Sequence, residues 1–259
     1  MEPRKIEIES NFKIQYSICT LVTDQIQYGE MMESFIKAGF SVDDCEFIIA
    51  DNTRANDFDA YSAINRFLRE ASGKYIIICH QDVLIEYDKE PLLKTRLQEL
   101  DKLDARWGIV GNAGAKDLYN TPMAITENGE LFRKGELPSK VSSLDENFIL
   151  LKAESNLAVS ADISGYHLYG TDICLIAECL GWNCYVINFN ITHKSSGRLN
   201  ASFHEISRKL QLKYRHFFRG RYIRTTITRF YLGSSWTSGL MNIPLIKNIA
   251  RLYYKYMVK

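Results

Sequence analysis

Residues 73–83 read GKYIIICHQDV, an apolar run that ends in a carboxylate at Asp82. A carboxylate at a strand end can hold a hard divalent cation through oxygen and leave other positions to substrate phosphates. The competing reading is an Asp that caps a turn. Residues 165–174, GYHLYGTDIC, put Asp172 at the start of a helix-like run. There it either complements the helix dipole or acts as general base toward a hydroxyl nucleophile. In residues 190–197, NITHKSSG, His193 stands in a polar stretch after an apolar one. It is either a surface histidine or a partner of Asp82 on a metal.

Such side chains need elements to aim them. Apolar runs at 16–22 (YSICTLV), 46–50 (EFIIA) and 75–79 (YIIIC) predict buried strands, and 30–38 and 61–71 predict helices between them. Short apolar strands alternating with helices indicate an α/β sheet buried on both faces. If these strands are neighbours, Thr23 and Asp24, then Asp51, Asn52 and Thr53, then His80, Gln81 and Asp82 share one mouth. Open α/β sheets bind ligands there, beyond the carboxyl ends of their strands. Further on, the pattern predicts a helix at 92–103, a strand at 107–110, loop over 111–140 and strand over 141–152. A helix at 171–180, a strand at 185–189 and a polar loop at 192–200 follow, then basic helices at 202–218 and 243–256. No G-x-G-x-x-G or G-x-x-x-x-G-K-[ST] occurs, so the dinucleotide and P-loop readings lose their main support.

The 259 residues are 46% apolar and 24% charged, which excludes disorder and coiled coil as the main plan. No apolar run reaches the ~18 residues of a membrane-spanning helix, and the start, MEPRKIEIES, lacks a secretory apolar core. Six cysteines in a chain this long point to reduced thiols, and C-x4-C-x4-C at Cys174, Cys179 and Cys184 is no standard zinc spacing. The expected location is cytoplasmic. A net charge of +1 hides an asymmetry: from Lys194 onward fourteen Lys/Arg face one acid, Glu205, while the preceding 193 residues hold 18 basic and 30 acidic ones. The division expected is a catalytic domain over 1–200 and a basic, aromatic-rich helical region over 201–259. A basic tail of this kind suits an anionic partner or the acidic body itself.

Taken in order, EFIIADNT, INRFLREASGKYIIICHQDV, RWGIVGNAG, SLDE, YHLYGTDICLIAECLGW and THKSSG make the chain resemble glycosyltransferases of the family 2 type, with the GT-A fold (a Rossmann-like mixed sheet flanked by helices). It resembles more closely a bacterial subgroup with an HQDV signature, over roughly residues 16–197. The resemblance implies a nucleotide-diphosphate sugar as donor, with Asp51 on its base or ribose. Thr23, Asn52, His80 and Gln81 are the further donor-binding candidates. Asp82 would ligate Mg²⁺ or Mn²⁺ at the phosphates, His193 would complete the metal site, and Asp172 would be the base of an inverting displacement. Asp145 and His167 would meet the acceptor. Two acids of the wider pattern are missing: DxD is here His80-Gln81-Asp82, and the ED pair is Thr171-Asp172.

The expected reaction is metal-dependent, inverting transfer of a sugar to a hydroxyl of a glycan or lipid-linked acceptor in bacterial surface polysaccharide synthesis. The tail interleaves basic and aromatic residues, as amphipathic helices on anionic membranes do. A peripheral position at the inner face of the cell membrane follows as an expectation, with homodimer formation as an alternative use of the aromatics. Nucleic-acid binding competes, but no helix-turn-helix or RNP signature accompanies the charge. A nucleotidyltransferase would carry a basic, Gly-rich phosphate loop near the first strand, which SICTLVTDQIQYG is not, and a non-catalytic glycosyltransferase-like binder is suggested only by the missing acids.

Overall fold

The computed structural model describes residues 3, 5, 12–195, 201–233 and 235–257. Its elements in chain order are β1 (Ile14–Val22), α1 (Gln25–Lys37), β2 (Cys45–Asp51), α2 (Ala60–Glu70), β3 (Gly73–Cys79), β4 (Val83–Leu84), α3 (Glu90–Leu103), β5 (Trp107–Gly111) and β6 (Gly114–Ala115). Strands β7 (Met123–Glu127), β8 (Glu130–Lys134), β9 (Ser139–Val141), β10 (Ser143–Leu144) and β11 (Phe148–Lys152) follow. Then come α4 (Tyr169–Cys179), β12 (Asn183–Val186), β13 (Ile191–His193), α5 (Ala201–Phe217), β14 (Arg221–Arg224), β15 (Arg229–Leu232), α6 (Ser235–Met241) and α7 (Pro244–Tyr256). The chain divides into two compact units, Met1–Ser207 and Arg208–Lys259.

The first unit is the expected α/β architecture: a seven-stranded mixed sheet in the order β2-β1-β3-β11-β5-β12-β9, flanked by helices. β1 pairs in parallel with β2 on one side and β3 on the other. The three polar strand ends are therefore neighbours. β11 then runs antiparallel between β3 and β5, with Phe148 opposite Cys79. This antiparallel insertion carries residues 145–147 back to the exit of β3, where the His80 N–H donates to the Asn147 carbonyl at 3.0 Å.

Burial explains why the sheet holds. Ile18, Ile77, Leu150, Val110 and Trp107 are all buried in one core. Trp107 stacks on Tyr75 and donates its indole N–H to Asp101 at 2.8 Å, so its polar edge is satisfied inside the core.

Two expectations are corrected. The loop predicted over 111–140 contains β6 and the β7–β8 hairpin, and the strand predicted over 141–152 is broken into the end of β9, β10 and β11. Asp145, Glu146 and Asn147 interrupt that apolar run, and β10 pairs with β6 rather than joining the main sheet. The hairpin β14–β15 and helix α6 also went unpredicted. Within the polar loop predicted at 192–200, Ile191–His193 reaches into it as a strand, and 196–200 lie outside the described residues. Among the described residues no helix is long and apolar enough to cross a membrane.

Candidate metal and donor site

The mouth is built by strand exits and pinned by side chains that bridge them. Gln81 accepts from the backbone N–H groups of Thr23 (2.8 Å) and Asp24 (3.0 Å) and donates to the Thr23 hydroxyl at 2.9 Å. Asp24 in turn caps α1 by accepting from the N–H groups of Ile26 and Gln27. The amide of Gln81, expected on the donor, is thus committed to joining the exits of β1 and β3. Asn52 is committed likewise: it donates to the Phe58 carbonyl and accepts from the N–H groups of Asp57 and Phe58. It shapes the 52–58 loop. Asp51 is exposed at the rim. The Thr53 hydroxyl and N–H both donate to its Oδ1 and hold its carboxyl below the usual range.

Asp82, His193 and His80 come together. One potential ligand atom from each lies within 4.8 Å of the others. Their convergence comes from backbone pairing, because β13 runs antiparallel to β4 and sets His193 opposite Val83, one residue past Asp82. His193 Nε2 lies 3.5 Å from Asp82 Oδ1, and its Nδ1 lies 3.9 Å from Glu127 Oε1. Burial raises the Asp82 pKa, but hydrogen bonds from His193 and Ser195 outweigh it and hold the carboxyl well below the ordinary range. Burial lowers the His193 pKa, yet the Asp82 carboxylate raises it above the ordinary value on balance.

His80 is oriented by Tyr169, a residue no sequence pattern singled out. The Tyr169 hydroxyl donates its one hydrogen to the Glu146 carbonyl at 2.9 Å. It must therefore accept at its 2.9 Å contact with His80 Nε2. Nε2 then carries the imidazole proton and Nδ1 keeps its lone pair. Burial and the neighbouring His193 push the His80 pKa down, which favours the neutral ring a metal ion would need. An outer partner that fixes the tautomer in this way is what a metal-ligating histidine needs. The donor set fits a divalent cation, with positions left for phosphate oxygens. Two imidazoles beside one carboxylate suit Mn²⁺ better than Mg²⁺.

Asp172 is not at the mouth surface. Its side chain is 0% exposed and accepts from the Ser160 N–H at 2.6 Å and the Ser160 hydroxyl at 2.7 Å. The carboxylate, expected as the base, ties the first turn of α4 to residue 160.

The acids that do stand at the exit of β3 are Asp145 and Glu146. Asp145 is exposed, accepts from the Asn147 N–H and amide, and its charge acts on both His80 and His193. Glu146 lies against the start of α4, where the Gly170 N–H points to its Oε1 at 3.4 Å. A Cβ at Gly170 would sit 2.4 Å from the Leu144 carbonyl, so only glycine allows this approach. His167 is placed by the Tyr61 hydroxyl, which donates to its carbonyl at 3.1 Å, and by Leu168, which takes a left-handed φ of 64°. Left-handed backbone at a branched residue persists only where surrounding structure enforces it.

Burial and the adjacent Asp145 push the Glu146 carboxyl up to about 8, against backbone N–H groups that lower it. A raised folded pKa means the associated stability is complete below the unfolded value of 4.5 and lost as pH climbs toward 8. Between pH 5 and pH 8.5, wild type should therefore lose roughly 3 kcal/mol relative to Glu146→Gln. Urea unfolding of both chains across that range reads the difference, and parallel curves would contradict it.

A cavity of about 340 Å³ includes part of the cluster, lined by Thr23, Ile64, Phe67, Ile78 and Tyr166 together with His80, Gln81 and Asp82. A larger one of about 690 Å³ runs between α2 and residues 151–164 and contains none of the three clustered ligands.

No family model matches the chain. A Fuscovulum blasticum protein named ATP synthase subunits region ORF 6 is 33% identical over 242 residues, which cover 90% of this chain and 97% of that protein. Among solved structures, the Pyrobaculum calidifontis mannosyltransferase PcManGT in complex with GDP-Man and Mn²⁺ is 13% identical, with 81% of this chain and 67% of that one covered and a TM-score of 0.49. S. aureus TarS is 10% identical, with 77% and 39% covered and a TM-score of 0.49. TM-scores below 0.5 leave these as partial likenesses.

Proposed function

We propose that this chain, which belongs to the family of the Fuscovulum blasticum protein ATP synthase subunits region ORF 6, moves a sugar from a nucleotide-diphosphate donor to an acceptor hydroxyl. The observation that carries the reading is the His80–Asp82–His193 cluster at the shared exit of three parallel strands. The 340 Å³ cavity beside it suits a nucleoside, and the cluster lies where a diphosphate attached to that nucleoside would reach. The ordered motifs from EFIIADNT to THKSSG support the same reading.

A divalent cation bound there would neutralise the charge that builds on the leaving diphosphate. The chain's own groups do the rest. His80, fixed by Tyr169, and His193, fixed by the β4–β13 pairing, offer imidazole nitrogens beside Asp82. Asp51 at the rim takes a donor hydroxyl. Asp145 replaces Asp172 as the group that accepts the acceptor's proton, because it is the exposed carboxylate whose charge reaches the cluster. His167 borders the acceptor. A single in-line displacement with this arrangement inverts the anomeric carbon, and the acceptor class is a glycan or lipid-linked hydroxyl of the kind used in surface polysaccharide synthesis.

Protons compete with the cation for His193, whose pKa is raised by Asp82. Affinity for Mn²⁺ should rise by up to about tenfold per pH unit until His193 is deprotonated, then level. Electron paramagnetic resonance titrations of Mn²⁺ at pH 6 and 8.5 test this. A pH-independent affinity would remove His193 from the ligand set and, with it, the functional reading.

A further inference from the structure

The second unit, Arg208–Lys259, contains no Asp or Glu. Its cations are nonetheless gathered rather than spread. β14 and β15 pair antiparallel with Arg224 directly opposite Arg229, an arrangement that destabilises a ladder when nothing neutralises it. On α7, Lys247, Arg251 and Lys255 recur every four residues along one face, where like charges again repel. All five line a single cavity of about 640 Å³, together with Tyr222 and Tyr254. Among the described residues none of the five makes an ion pair. Lys255 only lies 5.0 Å over the Tyr256 ring.

Another face of the same helix is apolar and uncovered. Leu245, Ile249, Leu252 and Tyr256 fall at i, i+4, i+7 and i+11, all are exposed, and no residue of α7 is buried. Ile227, between the two strands of the hairpin, is 94% exposed, and Trp236 on α6 is 75% exposed. Repulsion concentrated around one cavity is relieved by a multiply charged anion. Exposed Leu, Ile and Tyr on the neighbouring face are relieved by an apolar phase.

We propose that this unit docks on an anionic membrane, with the five-cation cavity taking a lipid phosphate headgroup and the Leu245–Ile249–Leu252–Tyr256 face resting against the acyl region. A nucleic acid would supply phosphates but no apolar phase for aliphatic side chains, whereas an amphipathic basic helix at a bilayer uses both faces. The proposal rests on the second unit alone and stands or falls separately from the transfer chemistry.

The test uses the full chain, sedimented with vesicles of phosphatidylcholine alone or mixed with phosphatidylglycerol, and with inorganic pyrophosphate or a single-stranded RNA oligonucleotide as competitor. Wild type should pellet with the mixed vesicles and not with phosphatidylcholine alone. The double variant Arg224→Gln/Arg229→Gln should bind them about 30-fold more weakly. Its thermal unfolding midpoint should hold or rise, because it removes a repulsion, and Lys247→Gln/Arg251→Gln repeats the test from the helix side. Ile249→Asp should weaken vesicle binding while leaving pyrophosphate binding intact. Equal binding to both vesicle types, or wild-type binding by either charge variant, would overturn the proposal. Wild-type vesicle binding by Ile249→Asp would overturn the seating of the apolar face in the bilayer, and displacement from vesicles by RNA at lower concentration than pyrophosphate would assign the cavity to nucleic acid.

Discussion

Asp82→Asn should bind Mn²⁺ at least about a thousandfold more weakly than wild type. Asp82 is the one carboxylate of the cluster, and the two histidines beside it supply neutral nitrogen at best. Against a single unit of cation charge ~4 Å away a carboxylate contributes about 4 kcal/mol at an effective dielectric of 20, which makes roughly a thousandfold the lower bound for a divalent ion. The substitution also releases His193. Without the carboxylate its pKa falls toward the value set by burial, and the ring loses its charge-assisted partner at 3.5 Å. Near-ultraviolet circular dichroism should remain that of wild type, since β3 and the core beneath the site do not depend on the Asp82 carboxylate. Retention of Mn²⁺ affinity within threefold would place the cation elsewhere.

Asp145→Asn should lower turnover by about 10²- to 10⁴-fold, the range for loss of a general base, and leave donor affinity unchanged. Asp172→Asn should behave in the opposite way. Its carboxylate accepts two hydrogen bonds from Ser160 with no solvent exposure, so the substitution should cost about 2 kcal/mol of stability. The folded fraction should then work at close to the wild-type rate. Measuring kcat, donor KM and unfolding midpoint for both variants separates the roles. If Asp172→Asn abolishes turnover at unchanged stability while Asp145→Asn is active, the base assignment made from burial is wrong.

The parts of the fold that could be read from sequence are those where one face or both faces of an element are uniformly apolar. YSICTLV, EFIIA and YIIIC fell within a few residues of β1, β2 and β3, and the polar ends of those strands do share a mouth. Sheet order could not be read in this way. β11 lies between β3 and β5 although about seventy residues separate it from β3 in the chain, and no local pattern encodes that pairing. The β14–β15 hairpin escaped because its turn, Thr225–Thr228, has no Gly, Asn or Asp to announce it.

At the site, the sequence singles out Asp82 and His193 because each follows an apolar run, and the structure brings the two side chains to 3.5 Å. A first-turn carboxylate such as Asp172 looks the same in sequence whether it faces solvent or Ser160. Only the tertiary contact with Ser160 distinguishes the two. Tyr169 and Glu146 went unnoticed for a related reason. One acts through the single hydrogen of a phenol, the other through its approach to Gly170, and both are products of tertiary placement.

Calorimetric titration with UDP, GDP, dTDP and CMP, each with and without Mn²⁺, tests the central claim most directly, with Asp82→Asn run alongside. The His80–Asp82–His193 site predicts that one nucleotide binds at micromolar concentration only when Mn²⁺ and Asp82 are both present. Binding that is indifferent to Mn²⁺, or absent for all four nucleotides in a chain shown to bind Mn²⁺, would contradict a metal-bridged nucleotide-sugar donor.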